Sequence, residues 1–124
     1  RMVGGGVYGG PLRHAVHELK YRGARELGPI LGEHLAARCV ADRLLPEPGA
    51  IDLVVPMPGE PGRTRRRGYN PPSLLAGPLG DALRAPVADS AAVARMPGGS
   101  PQMGRSPEAR RRAMGALRFA VADP

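Results

Sequence analysis

A stretch of arginines beside glycines and prolines gives the chain its clearest chemical pattern. In residues 54–70, Gly59 and Gly62 precede four arginines between positions 63 and 67. Glycines let backbone N–H groups approach an anion and form a concave nest, and the planar arginine fork matches phosphate oxygens. The stretch therefore predicts a phosphate-binding loop, with a solvated basic surface loop as the alternative.

A second basic stretch covers residues 96–112 and ends in three consecutive arginines, Arg110, Arg111 and Arg112. Its prolines and glycines exclude a strand or a long helix. Ser106, followed by proline and glutamate, can cap one short helical turn that ends at Arg112. The stretch predicts a mobile lid that excludes water and brings cationic donors onto a charged intermediate. An exposed hinge is the alternative.

Helices and strands must position these two stretches. Apolar residues at helical spacing predict helices over about 11–22, 27–45 and 73–84. The apolar run Ile51 to Val55 lies between Gly49 and Pro56 and predicts a strand buried on both faces. A second apolar stretch opens at Pro86, which completes a β-α-β unit with a parallel sheet and a right-handed crossover.

These elements predict an α/β fold with the first basic stretch at the carboxyl end of a strand, where open parallel sheets bind ligands. Residues 117–121 predict a final strand. The length of 124 residues suits one domain, and we expect residues 1–10, rich in glycine, to be a flexible leader.

Composition restricts the partners and the compartment. The net charge is +7, and all eighteen cationic residues except Lys20 are arginines. An anionic partner, either a phosphorylated small molecule or nucleic acid, explains this excess as well as codon bias in a GC-rich genome does. Cys39 is the single cysteine, so we expect no disulfide framework and a reducing, cytoplasmic location. No apolar run is long enough for a membrane span or a signal peptide.

Four short elements follow one another along the chain: Leu19-Lys20-Tyr21-Arg22-Gly23, Val55-Pro56-Met57-Pro58, Arg67-Gly68-Tyr69-Asn70, and Pro101-Gln102 with Ser106 and the three arginines that end the second basic stretch. They resemble, in the same order, the Lys-aromatic-x-Gly element, the Val-Pro-Val-Pro strand end, the Arg-Gly-aromatic-Asn element and the Pro-Gln lid of the competence protein ComF family. This family is a branch of the type I phosphoribosyltransferases.

The resemblance implies a partial type I phosphoribosyltransferase fold, with amino-terminal helices, a short parallel sheet and a mobile lid over residues 96–112. It implies binding of phosphoribosyl pyrophosphate, with Mg²⁺ bridging the departing pyrophosphate. Lys20 would add a phosphate contact, unless it is only a favourable charge at a helix C-terminus. The implied substrate-binding residues are Lys20, Met57, Pro58, Gly59, Arg63, Arg67, Gly68, Tyr69, Asn70, Gln102, Arg110, Arg111 and Arg112.

The family's phosphoribosyl-pyrophosphate motif, two acidic residues followed by Thr-Thr-Gly, is not among the 124 residues. We therefore expect residues 1–124 to form a single incomplete domain, to lack the Mg²⁺ ligands and to be inactive alone. The alternatives are a decayed or truncated gene product, a half-protein that assembles with another chain, and a non-enzymatic nucleic-acid-associated protein. The nucleic-acid alternative is supported by the link of ComF relatives to competence and DNA uptake. Against it, the four aromatic residues do not interleave with the arginines as base-stacking platforms would.

Overall fold

Helices form most of the structure, a computed structural model that describes residues 4–43, 47, 49–96, 104–115 and 117–122. The elements in chain order are α1 (Gly10–His17), a π-helical segment (Glu18–Arg22), α2 (Leu27–Ala41), α3 (Pro61–Arg67), α4 (Pro71–Leu83), β1 (Val93–Arg95), α5 (Pro107–Gly115) and β2 (Phe119–Val121). The chain is therefore a mixed α/β protein, as the sequence predicts. Within these ranges, no helix is both long enough and apolar enough to cross a bilayer.

The first predicted helix is confirmed, but its last turns are wider than those of an α-helix. Pro11 lies in the first turn of α1, and the chain continues directly into the π-helical segment. Gly23 closes this segment in the left-handed conformation, with a φ of 80°, and its N–H bonds to the Glu18 carbonyl. Only glycine adopts this conformation readily, which is why the helix ends there.

α2 and α4 pack closely against each other through glycines. A Cβ atom added at Gly28 would lie 2.4 Å from Leu74 Cβ, and one added at Gly32 would lie 2.7 Å from the Leu75 carbonyl oxygen. These distances leave no room for a side chain, so the two glycines set the spacing of the helices. Both predicted helices are confirmed. α2 ends at Ala41, short of its predicted end, because Arg43 turns into the left-handed region with a φ of 49°.

The core joins the first helix to α2 and to the chain between α3 and α4. Its buried members are Leu19, Leu31 and Tyr69. Partly buried apolar side chains pack around them: Leu12, Ala15, Val16, Leu27, Leu74 and Leu75. Tyr69 is itself a predicted site residue, and Leu19 directly precedes another, Lys20.

The predicted strand over Ile51–Val55 is wrong in its extent. Only Val54 pairs, in a parallel bridge with Val87. Leu53 and Val55 are 48% and 49% exposed, so this stretch is not buried on both faces. Pro56 and Pro86 lack the N–H groups that a longer ladder needs. The parallel direction agrees with the predicted β-α-β unit, although both α3 and α4 lie between the paired residues.

The sheet in the described part of the chain is antiparallel and two-stranded, not parallel as predicted. β1 pairs with β2, with Val93 opposite Val121 and Arg95 opposite Phe119. β2 confirms the predicted final strand, whereas the sequence did not predict β1. Residues 97–103 of the predicted lid loop and residues 1–3 of the predicted leader lie outside the described residues. Of the leader, Gly5 accepts a hydrogen bond at its carbonyl from His34 Nε2, 3.0 Å away.

The predicted helical turn before Arg112 is confirmed and is longer than expected. α5 runs from Pro107 to Gly115, and Ser106 Oγ accepts a hydrogen bond from the Ala109 N–H at 3.2 Å. The serine thus caps the helix as its position before a proline predicts.

Candidate anion-binding site

The start of α3 is capped by an acidic side chain. The Glu60 carboxylate accepts hydrogen bonds from the N–H groups of Gly62 and Arg63, both at 2.9 Å. These bonds lower the pKa of Glu60, and the positive charges of Arg63 and Arg95 lower it further. The sequence predicted that amides in this loop would be open to an anionic ligand. For Gly62 and Arg63 this is wrong, because a carboxylate of the chain itself occupies them.

The loop before α3 is fixed by Asn70, the residue immediately before α4. Asn70 Nδ2 donates to the Met57 carbonyl at 2.9 Å and to Ser73 Oγ at 3.1 Å. A Cβ atom at Gly59 would lie 2.3 Å from Thr64 Oγ1 and 3.0 Å from Asn70 Oδ1, so a side chain at this position would displace the Thr64 or Asn70 side chain. Gly59 and Asn70, both predicted as ligand contacts, therefore also hold the loop in place.

The Arg67-Gly68-Tyr69 segment caps the end of the first helix. Gly68 ends α3 with a φ of 79°. The chain then turns so that Tyr69 donates its hydroxyl hydrogen to the Leu19 carbonyl, while Arg67 Nε donates to the Lys20 carbonyl at 2.8 Å. Carbonyls in the last turn of a helix lack partners within the helix. Two of them are satisfied here by side chains about fifty positions further along the sequence.

This capping creates a basic cleft, which we call the first cleft. Its volume is about 400 Å³, and its lining residues are Lys20, Tyr21, Gly23, Arg63, Arg66 and Arg67. Four of the six are cationic and none is acidic. Among the described residues, the only ion pair that involves any of these cations joins Arg63 Nε to Glu60 across 3.9 Å. The first cleft therefore concentrates positive charge that carboxylates of the chain balance only in part.

A second cleft, of about 570 Å³, includes Gly68 and Tyr69 of the capping segment in its lining. It contains five predicted site residues, Pro58, Gly59, Gly68, Tyr69 and Asn70. It also contains three arginines that are not among the predicted site residues, Arg25, Arg65 and Arg95, of which Arg65 belongs to the first basic stretch. The guanidinium carbons of Arg25 and Arg67 lie 5.3 and 5.8 Å from the centre of the Tyr69 ring. Tyr69 is thus in contact with a cation from each cleft.

The predicted site residues are therefore divided. Lys20, Arg63 and Arg67 converge on the first cleft, five others line the second, and Met57 is 63% exposed and lines neither. The lid arginines Arg110, Arg111 and Arg112 also line neither cleft. Arg111 forms a loose pair with Glu108 at 3.7 Å, with both side chains largely exposed. Gln102 lies outside the described residues.

The residues of the two clefts do not fit direct coordination of Mg²⁺. Magnesium takes oxygen ligands, usually including one or two carboxylates. Neither cleft is lined by aspartate or glutamate. In the part of the chain that the structure describes, no three His, Cys, Asp or Glu side chains come together as a metal site.

Some residues that line the two clefts were missed by sequence reasoning for identifiable reasons. Arg66 belongs to the first basic stretch, but it was not among the arginines of that stretch that we predicted to bind substrate. Arg25 and Arg95 stand apart from any run, and only the fold brings them to one cleft.

No family model, no curated protein and no solved structure matches the chain. The resemblance to the ComF family therefore stays a prediction.

Proposed function

We propose that the first cleft binds the diphosphate group of a phosphorylated small molecule. The observation that carries this proposal is the convergence of Lys20 with Arg63, Arg66 and Arg67, from segments more than forty positions apart. Like charges held this close repel each other, so a ligand with several negative charges relieves that repulsion when it binds. Arginine forks and a lysine ammonium are also the side chains best suited to phosphate oxygens.

The shape of the cleft favours a small ligand over a polymer. Its volume of about 400 Å³ lies within the range of small-molecule sites. Tyr21 and Gly23 complete the lining, so one wall is not cationic and can contact a sugar or another neutral group. A diphosphate attached to a sugar combines the two chemistries that this lining offers.

We further propose that the ligand is phosphoribosyl pyrophosphate or a related phosphorylated ligand and that the chain is a ComF-like phosphoribosyltransferase homologue. Four sequence elements support this, and two of them, around Lys20 and Arg67, meet at the first cleft. When a sugar carbon leaves pyrophosphate, negative charge gathers on the leaving group, and fixed cations lower that barrier. The cleft cations would fill this role. The proposed location is the cytoplasm, because the single cysteine of the sequence, Cys39, cannot form a disulfide within the chain.

The test is isothermal titration calorimetry with four ligands at one salt concentration: pyrophosphate, phosphoribosyl pyrophosphate, orthophosphate and a short single-stranded DNA. We expect the two diphosphates to bind more tightly than orthophosphate, because each diphosphate reaches more of the four cations at once. Equal binding of orthophosphate and pyrophosphate would contradict a diphosphate site. Tighter binding of the DNA, with a steep dependence on salt, would instead support the nucleic-acid alternative.

A further inference from the structure

The second cleft brings together three arginines from separate parts of the chain. Arg25 precedes α2, Arg65 lies on α3, and Arg95 is the last residue of β1. None of the three forms an ion pair with a carboxylate among the described residues, where the recorded pairs involve Arg38, Arg63 and Arg111. The cleft is thus a second concentration of positive charge, on different residues from the first.

Arg95 is the most constrained of the three. Its Nε atom is buried, and it has no hydrogen-bond partner in the part of the chain that the structure describes. Buried donors in native proteins nearly always have an acceptor, so an exception calls for a specific explanation. The positive charge of Arg95 contributes to the lowered pKa of Glu60, but the Glu60 carboxylate oxygens accept hydrogen bonds from the amides at the start of α3. The second cleft is lined by Arg95 together with Arg25 and Arg65 and by no carboxylate, so an anionic group that enters it meets three cations that form no ion pair among the described residues.

The residues that line the rest of the second cleft indicate which chemical groups a ligand there would carry. Apolar side chains line it from three elements and the loop before α3: Pro58, Pro61, Leu74, Val93 and Ala94. The other lining groups that are not arginine are neutral, and none is a carboxylate. A volume of about 570 Å³ is more than a bare inorganic anion needs. The cleft suits a compact apolar body that carries one anionic group.

We propose that the second cleft binds a small organic anion, with its carboxylate or phosphate monoester paired to Arg95 and its apolar body against the proline, leucine and valine wall. Arg25 and Arg65 add positive charge around the same anionic group. This site differs from the first cleft in its cations and in its apolar lining. It does not depend on the function proposed for the first cleft.

The experiment follows the Nε–H signals of the arginines by ¹H–¹⁵N nuclear magnetic resonance during titration of the whole chain. The probes are benzoate, phenyl phosphate and the neutral benzamide. We expect benzoate or phenyl phosphate to shift the Arg95 signal in a saturable way, and the tighter of the two identifies the anionic group. Benzamide has the same ring without the charge and should leave that signal in place.

Variants separate the two clefts. Arg95→Gln should weaken binding of the anionic probe by about tenfold or more, because a charged partner is lost. Arg66→Gln, which removes a cation of the first cleft, should leave the shift of the Arg95 signal by the probe unchanged. If Arg95→Gln does not fold, Arg25→Gln replaces it, with a smaller loss expected at this more exposed position.

Three results would overturn the proposal. The first is that neither anionic probe shifts the Arg95 signal at millimolar concentration. The second is that benzamide binds as well as benzoate, and the third is that the Arg95 and Arg25 variants bind the probes as tightly as the unaltered chain does. A failure of pyrophosphate to bind the first cleft would leave these outcomes unaffected, so the two proposals can fail separately.

Discussion

Arg67 Nε donates a hydrogen bond of 2.8 Å to the carbonyl of Lys20, across 47 positions of sequence. This bond joins the end of the first helix to the end of α3, and these two elements supply the cations of the first cleft. Arg67 therefore has two roles. It fixes the relative position of the two cationic walls, and its charge adds to the field inside the cleft.

Tyr69→Phe should destabilise the protein. The hydroxyl of this buried side chain donates to the Leu19 carbonyl, and Leu19 is itself only 2% exposed. Removal of the donor leaves a buried carbonyl unsatisfied, which costs about 1–3 kcal/mol in free energy of unfolding. Urea unfolding measures the change. Tyr8→Phe is the control, because Tyr8 is 63% exposed. Equal effects of the two substitutions would show that the Tyr69 hydrogen bond contributes nothing.

The helix pair α2 and α4 offers a matched pair of glycine substitutions. Gly32→Ala places a Cβ atom 2.7 Å from the Leu75 carbonyl oxygen, whereas Gly77→Ala on α4 meets no atom within 4 Å. We expect Gly32→Ala to lower the free energy of unfolding by about 1–3 kcal/mol, since the backbone must move apart. Gly77→Ala should raise it by about 0.5–1 kcal/mol through helix propensity. Thermal or urea unfolding of both variants checks this, and a stabilising Gly32→Ala would contradict the described packing.

Glu60 should make stability depend on pH in the acidic range. Its hydrogen bonds from Gly62 and Arg63 lower its pKa in the folded state below the ordinary 4.5. As the pH falls, the unfolded chain therefore takes up a proton at Glu60 before the folded chain does. The stabilisation by this carboxylate is complete above about pH 4.5 and is lost as the pH falls through the folded-state pKa. Glu60→Gln removes this dependence. The difference in urea midpoint between the two proteins should shrink from about pH 6 to about pH 3. A constant difference would contradict the assigned cap.

The lid predicted from sequence is open to a direct test. In the structure Arg110, Arg111 and Arg112 line neither cleft. We therefore expect replacement of all three by glutamine to weaken pyrophosphate binding by less than about threefold at physiological salt, because distant exposed charges are screened. Calorimetry measures the affinity. A loss as large as that of Lys20→Gln would show that α5 does move onto the bound ligand.

The local features of the fold could be predicted from the sequence. Apolar spacing identified α1, α2 and α4, and Gly23 marked the end of the first helix because only glycine fits its left-handed conformation. Ser106 before a proline indicated the start of α5. β-branched composition alone misled the prediction over Ile51–Val55, because flanking prolines limit pairing there to Val54.

The long-range features could not be predicted. The sequence shows that Lys20 and Arg67 have useful side chains, but not that Arg67 bonds to the Lys20 carbonyl, because such a contact depends on how the helices pack. It also gave no sign that Glu60 would occupy the amides of the loop, since glutamate is not among the usual capping residues. Arg95 was missed because β1 is only three residues long.

The most direct test of the central claim compares two substitutions on the π-helical segment. Lys20→Gln and Arg22→Gln remove one exposed positive charge each, two positions apart, but only Lys20 lines the first cleft. Pyrophosphate is titrated into both variants and into the unaltered chain by calorimetry at physiological salt. We expect Lys20→Gln to weaken binding by about tenfold and Arg22→Gln by less than about threefold. Equal losses, or no binding by the unaltered chain, would contradict a diphosphate site in the first cleft.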